Sequence, residues 1–153
     1  YDFKGDKRRW GVTMKTMFFL TFKKNVSYMD AHNFYYDNYF ESVIAPIFLG
    51  KKIILVANGK TIERQKNNKN LPWKDISYVE TPSYNARDAY DDISLNVDKE
   101  LAKYKKEDVV LFVSFGPAAK YFIFEYANKE YQGIDIGKIA EVMFTGESIQ
   151  YLI

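Results

Sequence analysis

Val109-Val110-Leu111-Phe112-Val113-Ser114-Phe115-Gly116-Pro117-Ala118-Ala119-Lys120 is the stretch whose reading decides the fold. The run to Phe115 is apolar and rich in β-branched and aromatic residues, the composition of a buried strand. Gly116-Pro117 ends it. Pro117 suits the first position of a new helix, where its missing N–H removes no bond. A strand that turns into a helix on a glycine leaves backbone N–H groups and the positive end of a helix dipole facing outward, a setting that attracts anions. The same connection is also ordinary in α/β chains, so its meaning depends on what the rest of the sequence sets beside it.

Upstream, Ala86, Ala89, Tyr90, Ile93, Val97, Leu101 and Tyr104 recur at spacings of three and four and predict a long helix. Its other face carries solvated charges such as Asp92, Lys99 and Lys103. Before it, Ile76–Glu80 reads as a strand running into Thr81-Pro82-Ser83-Tyr84-Asn85, and Lys52–Ala57 as a buried strand running into Asn58-Gly59-Lys60. Thr61 is placed to cap a short helix through about Lys66, followed by the polar loop Asn67-Asn68-Lys69-Asn70. Downstream of the opening stretch the helix continues through about Asn128. Gly133–Gly137 then reads as a last short strand, Lys138–Phe144 as a short helix, and Ile149–Ile153 as an amphipathic tail.

Towards the amino end, Tyr36, Phe40, Val43, Ile44 and Ile47 fall on one face of a helix over Phe34–Phe48, which Pro46 should kink or end and Gly50 should stop. Val26–Ala31 reads as a short strand leading to His32, the single histidine, and Thr13–Phe22 as an apolar stretch that is either a strand or a buried helix entered from Arg9, periodicity alone not separating the two in so short a run. Residues 1–12 are polar and begin at Tyr1 rather than Met, which reads as a lead-in cut from a longer chain. Strands alternate with helices at separations that forbid hairpins. The order predicts an α/β chain with a mainly parallel sheet, helices on both faces and right-handed crossovers.

At 153 residues, 47% of them apolar, the chain has the length and composition of one folded domain. A net charge of +2, from 22 basic and 20 acidic side chains, argues against nucleic acid as a partner. The absence of cysteine removes disulfides, thiolate zinc sites and cysteine nucleophiles. No apolar run reaches the roughly 18 residues of a membrane span and no signal peptide is visible. The chain is accordingly expected in the cytoplasm.

Ligands of open parallel sheets bind beyond the carboxyl ends of the strands. Four loop signals fall there: Asn58-Gly59-Lys60, Thr81 to Asn85, Phe115 to Ala118, and Asp135-Ile136-Gly137. Together they offer backbone N–H groups, small hydroxyls, amides and a carboxylate, a set that suits a phosphate and a sugar. Other templates fail. The sequence has no G-x-G-x-x-G, no P-loop and no G-x-S-x-G elbow, and a single histidine makes no metal cluster. Asp98-Lys99-Glu100 is an Asp-x-Glu, but it lies mid-helix, where side chains two apart face different ways, and it reads as a solvated charge pair.

The segments Thr81-Pro82-Ser83-Tyr84-Asn85-Ala86, Phe115-Gly116-Pro117-Ala118-Ala119-Lys120 and Tyr131-Gln132-Gly133-Ile134-Asp135-Ile136-Gly137 occur in order, each at a predicted strand end. The set resembles the carboxyl-terminal half of the GT-D-type glycosyltransferases over about residues 26–140. The resemblance implies a Rossmann-like three-layer sandwich and transfer of a sugar from a nucleotide-sugar donor to a glycan or glycoprotein acceptor. It also implies a divalent metal, Mn or Mg, held by an Asp-x-Glu motif near the amino end. Gly5-Asp6-Lys7-Arg8 does not supply that motif.

By the same resemblance the donor-binding positions are Asn58, Pro82, Asn85, Gly116, Pro117, Lys120, Asp135 and Gly137. Gly116 would let the backbone approach a diphosphate. Lys120, about one turn into the helix, would either reach a phosphate or lie solvated. Asn85 would bond the donor or cap the following helix, and Asp135 would bond a ribose or sugar hydroxyl. A non-catalytic Rossmann-like interaction module, whose amphipathic tail would pack on a partner subunit as in a homo-oligomer, is the alternative reading.

Overall fold

A computed structural model describes residues 39–146, and the expectations for Thr13–Phe22, Val26–Ala31, His32, Gly5-Asp6-Lys7-Arg8 and the tail lie outside them. Four strands form one parallel sheet: β1 (Lys52–Asn58), β2 (Ile76–Thr81), β3 (Val109–Ser114) and β4 (Gln132–Asp135). Their spatial order is β2-β1-β3-β4. The helices are α1 (Ala45–Ile47), α2 (Gly59–Lys66), α3 (Tyr90–Leu101), α4 (Ala118–Asn128) and α5 (Ile139–Val142). This is the α/β, three-layer architecture expected from the strand–helix alternation.

Alternation along the two central strands divides the core. On one face Ile53, Leu55 and Ala57 of β1 join Val110 and Phe112 of β3, beneath Ile62 of α2 and Ile139 and Ala140 of α5. On the other, Ile54, Val56, Val109, Leu111 and Val113 pack under Ile93 and Val97 of α3 and Phe122 and Tyr126 of α4. Both faces of β1 and β3 are therefore covered, which is why these strands are continuous apolar runs. Phe112 is the hub of the first face. It meets Phe40, Phe48 and Trp73 edge-on at 5.8, 5.8 and 5.2 Å, while Trp73 Nε1 donates to the Phe48 carbonyl at 3.1 Å.

Several local expectations need correction. In the described part of Phe34–Phe48, the path begins as a π-helical turn (Phe40–Ile44) and tightens into α1 just ahead of Pro46. In the wider turn Ala45 N–H bonds five residues back to the Phe40 carbonyl. Phe40, Ile44 and Ala45 are buried, whereas Val43 and Ile47 face outward instead of sharing that face. Pro46 is the second residue of α1, and having no N–H it cannot extend the ladder of the preceding π-helical turn.

The helix predicted from Ala86 to Tyr104 spans only Tyr90–Leu101. Asn85, at φ +54°, begins a turn in which its carbonyl accepts from Asp88 N–H at 2.8 Å. Thr61 does not cap α2. Asn58 does, its side chain accepting from Thr61 N–H at 3.0 Å. The Asp98/Glu100 pair is less solvated than expected. Asp98 accepts from the Tyr126 hydroxyl at 2.8 Å and Glu100 from the Ser77 hydroxyl at 2.5 Å, one towards α4 and the other towards β2.

The last described segment is latched by side-chain amides. Gln65, buried, donates to the Ala140 carbonyl at 2.8 Å, Asn68 to Met143 at 2.9 Å and Asn70 to Phe144 at 3.2 Å. These bonds hold the stretch that follows β4 against α2.

Candidate functional site

Because every strand runs the same way, all four loop signals lie along one edge of the sheet. From one side to the other they are Thr81–Asn85 after β2, Asn58-Gly59 after β1, Phe115–Pro117 after β3, and Ile136-Gly137 after β4. The chain leaves β1 for β2 on one side and β3 returns to the other. The gap between the ends of β1 and β3 is therefore the switch point at which open α/β sheets bind ligands.

A glycine stands at each strand–helix turn flanking that gap, and the two are occupied differently. At Gly59 a Cβ would come within 2.5 Å of Glu80 Oε1, so the carboxylate at the end of β2 already fills the space over that turn. At Gly116, with φ +75°, a Cβ would meet nothing within 4 Å. Gly116 takes a left-handed conformation that other residues adopt only at a cost. Its carbonyl accepts from Ala119 N–H at 3.0 Å, and Pro117 enters the helix at φ −59°. Of the two turns, only the one at Gly116 opens onto free space, and it carries the eleven-residue helix α4 behind it.

Beyond β3 the predicted residues are joined to one another. Lys120 Nζ pairs with Asp135 Oδ2 at 3.2 Å, while Asp135 Oδ1 accepts from Gly137 N–H at 3.1 Å. The Gly137 carbonyl in turn accepts from the Ser114 hydroxyl at 2.8 Å. Ser114, absent from the sequence-based set, thus ties the ends of β3 and β4 together. Lys120 is neither free nor simply solvated; its charge is matched by Asp135.

On the other side, Asn58 lies in register with Thr81, so the β1 and β2 loops start as neighbours. The Asn58 carbonyl oxygen of the side chain is committed to its cap. Thr81 is 2% exposed and its hydroxyl has no hydrogen-bond partner. Pro82 and Asn85 lie in the exposed turn between β2 and α3. Asn85 does not cap α3, whose N-cap position is Ala89 without a side-chain bond. The structure thus gathers Lys120, Asp135 and Gly137 into one network, sets Asn58 and Gly116 on opposite sides of the switch, and leaves Pro82 and Asn85 at the β2 end.

A divalent cation needs several hard ligands at one point. Among the described residues no group of three or more His, Cys, Asp or Glu side chains is placed to hold one. Asp135 is committed to Lys120 and Gly137, and Glu80 belongs to β2, at the opposite margin of the sheet from β4. Three strand spacings amount to roughly 14 Å, too far for the two carboxylates to share an ion. The described edge does not fit a metal held by protein side chains alone.

A surface hollow of about 550 Å³ lies elsewhere, at the far ends of α3 and α4 around Leu101, Asn128 and Tyr131. Its lysines are matched within the chain, Lys106 by Glu130 and Lys129 by Asp98. Among the described residues no helix is long and apolar enough to cross a membrane.

Comparison with family models matches residues 10–143 to the glycosyltransferase GT-D fold. Comparisons with curated proteins and with solved structures returned no match. The matched span takes in all four strands and the whole of the edge described above. The chain belongs to the glycosyltransferase GT-D fold family.

Proposed function

We propose that this edge binds a nucleotide-sugar and that the chain takes part in transferring the sugar to a hydroxyl of a glycan acceptor. The observation that carries the reading is the open Gly116 turn at the switch point, with α4 behind it. The diphosphate lies against the Gly116 backbone and the first turn of α4. Asn58 and the Pro82–Asn85 turn border it on one side, and Pro117, Lys120, Asp135 and Gly137 on the other. In the transfer, the acceptor oxygen forms a bond to the anomeric carbon as the bond from that carbon to the diphosphate breaks. The acceptor proton is released and the nucleoside diphosphate departs. Charge grows on the leaving diphosphate, and the N-terminal dipole of α4 is oriented to stabilise it. The chain's other contribution is positioning.

The resemblance adds a divalent ion to the proposal, with ligands from outside the described edge or from the donor. The experiment is a calorimetric titration of UDP- and GDP-sugars onto the chain, each with and without manganese. Binding that Gly116→Val removes is the expected result. No binding of any nucleotide under either condition overturns the reading and favours the interaction-module alternative.

A further inference from the structure

Glu80 is an exposed carboxylate at the same edge, yet among the described residues it has no hydrogen-bond or ion-pair partner. Asp135, the other strand-end acid, is fully engaged. Glu80 also has specific neighbours. It lies beside Ala57 in the β1–β2 register and rests over Gly59, where a side chain would stand 2.5 Å from Oε1. The glycine makes room for the carboxylate and the carboxylate closes that turn to phosphate.

The segment β1–α2–β2 is a parallel βαβ unit with a glycine at its first turn and an acid at the end of its second strand. In dinucleotide-binding units of this topology, whose turn carries G-x-G-x-x-G, an acid about 20 residues beyond the first glycine accepts hydrogen bonds from the ribose; Glu80 takes the corresponding place here without that motif. Two strand spacings, roughly 10 Å, separate the ends of β2 and β3. A nucleotide laid across β1 can therefore place its diphosphate at Gly116 and its ribose near β2. An ionised carboxylate only accepts, and a vicinal diol offers two donors.

Resting on the donor-site reading above, we infer that Glu80 reads the ribose of the donor, its carboxylate accepting from the vicinal hydroxyls and selecting ribonucleotides over 2′-deoxyribonucleotides. Tyr84, four residues further on and 86% exposed, borders the same end of the site.

The test is equilibrium binding of UDP, GDP and their 2′-deoxy forms to the full chain. The wild type should prefer the ribo form roughly tenfold or more, the effect of a hydrogen bond to a charged group. Glu80→Gln should shrink the preference and Glu80→Ala should abolish it. Gly59→Ala offers an independent variant, because its new Cβ displaces the flexible carboxylate while Ala is well tolerated in a helix. It too should lose most of the preference, with its melting temperature kept. Equal wild-type affinity for ribo and deoxy forms overturns the inference while leaving the donor site standing, as does a preference that survives in Glu80→Ala. Absence of any nucleotide binding overturns both.

Discussion

Lys120 Nζ lies 3.2 Å from Asp135 Oδ2 and so ties the first turn of α4 to the end of β4. The Lys120 side chain is 46% exposed and that of Asp135 22%, so the pair is partly screened. Asp135→Asn keeps an oxygen for the Gly137 N–H and removes only the ionic part. It should cost less than about 1 kcal/mol in urea unfolding, with the difference from wild type shrinking in high salt. A loss that salt does not touch would show that the turn, rather than the charge, had been damaged.

Gly116 has open space where a Cβ would stand, so substitution there is opposed by the backbone alone. Gly116→Ala should destabilise by about 1–2 kcal/mol, the left-handed penalty for an L-residue. Gly116→Asn should recover part of that loss, since Asn visits this region more readily. Chemical denaturation of the two variants beside wild type distinguishes the effects, and an equal loss in both would count against a purely backbone cause.

Gln65 is 1% exposed and serves two partners, donating to the Ala140 carbonyl and accepting from Asn68 Nδ2 at 3.0 Å. Gln65→Leu keeps the bulk and leaves both groups short of a partner. A loss of about 1–3 kcal/mol follows from the unsatisfied polar groups. Hydrogen exchange should show the amides of residues 139–145 opening first. Unchanged exchange there would mean that packing, not these bonds, holds the segment.

Burial, with Asp98 beside it, pushes the Tyr126 phenol above its ordinary range, and burial together with Glu125 does the same for Tyr90. The folded chain therefore holds both protons more tightly than the unfolded chain. Their contribution is fully present below the ordinary phenol pKa of about 10 and is lost as pH rises beyond it, where the unfolded chain ionises first. Denaturation midpoints should hold up to about pH 10 and then fall. Tyr126→Phe should make that fall shallower, at a cost near neutrality of about 1 kcal/mol for the lost hydrogen bond to Asp98. An equally steep decline in the variant would place the alkaline sensitivity elsewhere.

The sheet was legible because β1 and β3 are covered on both faces, and continuous runs such as Ile53–Ala57 and Val109–Val113 leave little choice but a central parallel strand. The positions of Gly116 and Pro117 were legible for a related reason, since each has a backbone requirement of its own. Contacts between distant segments were not. Nothing local in Lys120 or Asp135 announces that they pair, and nothing in Glu80 announces that it will lie over Gly59. The only available hint was that an acid follows a glycine turn at the end of the next strand. The π-helical turn was hidden because Val43 and Ile47 keep the apolar spacing of a regular helix although the wider turn carries them outward. The capping alternative for Asn85 fails in the structure; the sequence could not separate it, because an amide before an apolar periodic run has the same signature whether it starts a helix or a left-handed turn.

The strand order bears on how the chain assembles. β1 is central, and its neighbours β2 and β3 arrive later in sequence, on opposite sides and each behind a crossover. Among the described residues no pair of strands can zip from a hairpin, so each of these pairings must wait for a long loop to close. Until Val109–Ser114 docks, one whole margin of β1 presents unpaired N–H and carbonyl groups among the apolar side chains of Ile53–Ala57. That interval, rather than any property of the finished sheet, is where the chain is most exposed to self-association, and refolding yield should fall with protein concentration even when the folded state is stable.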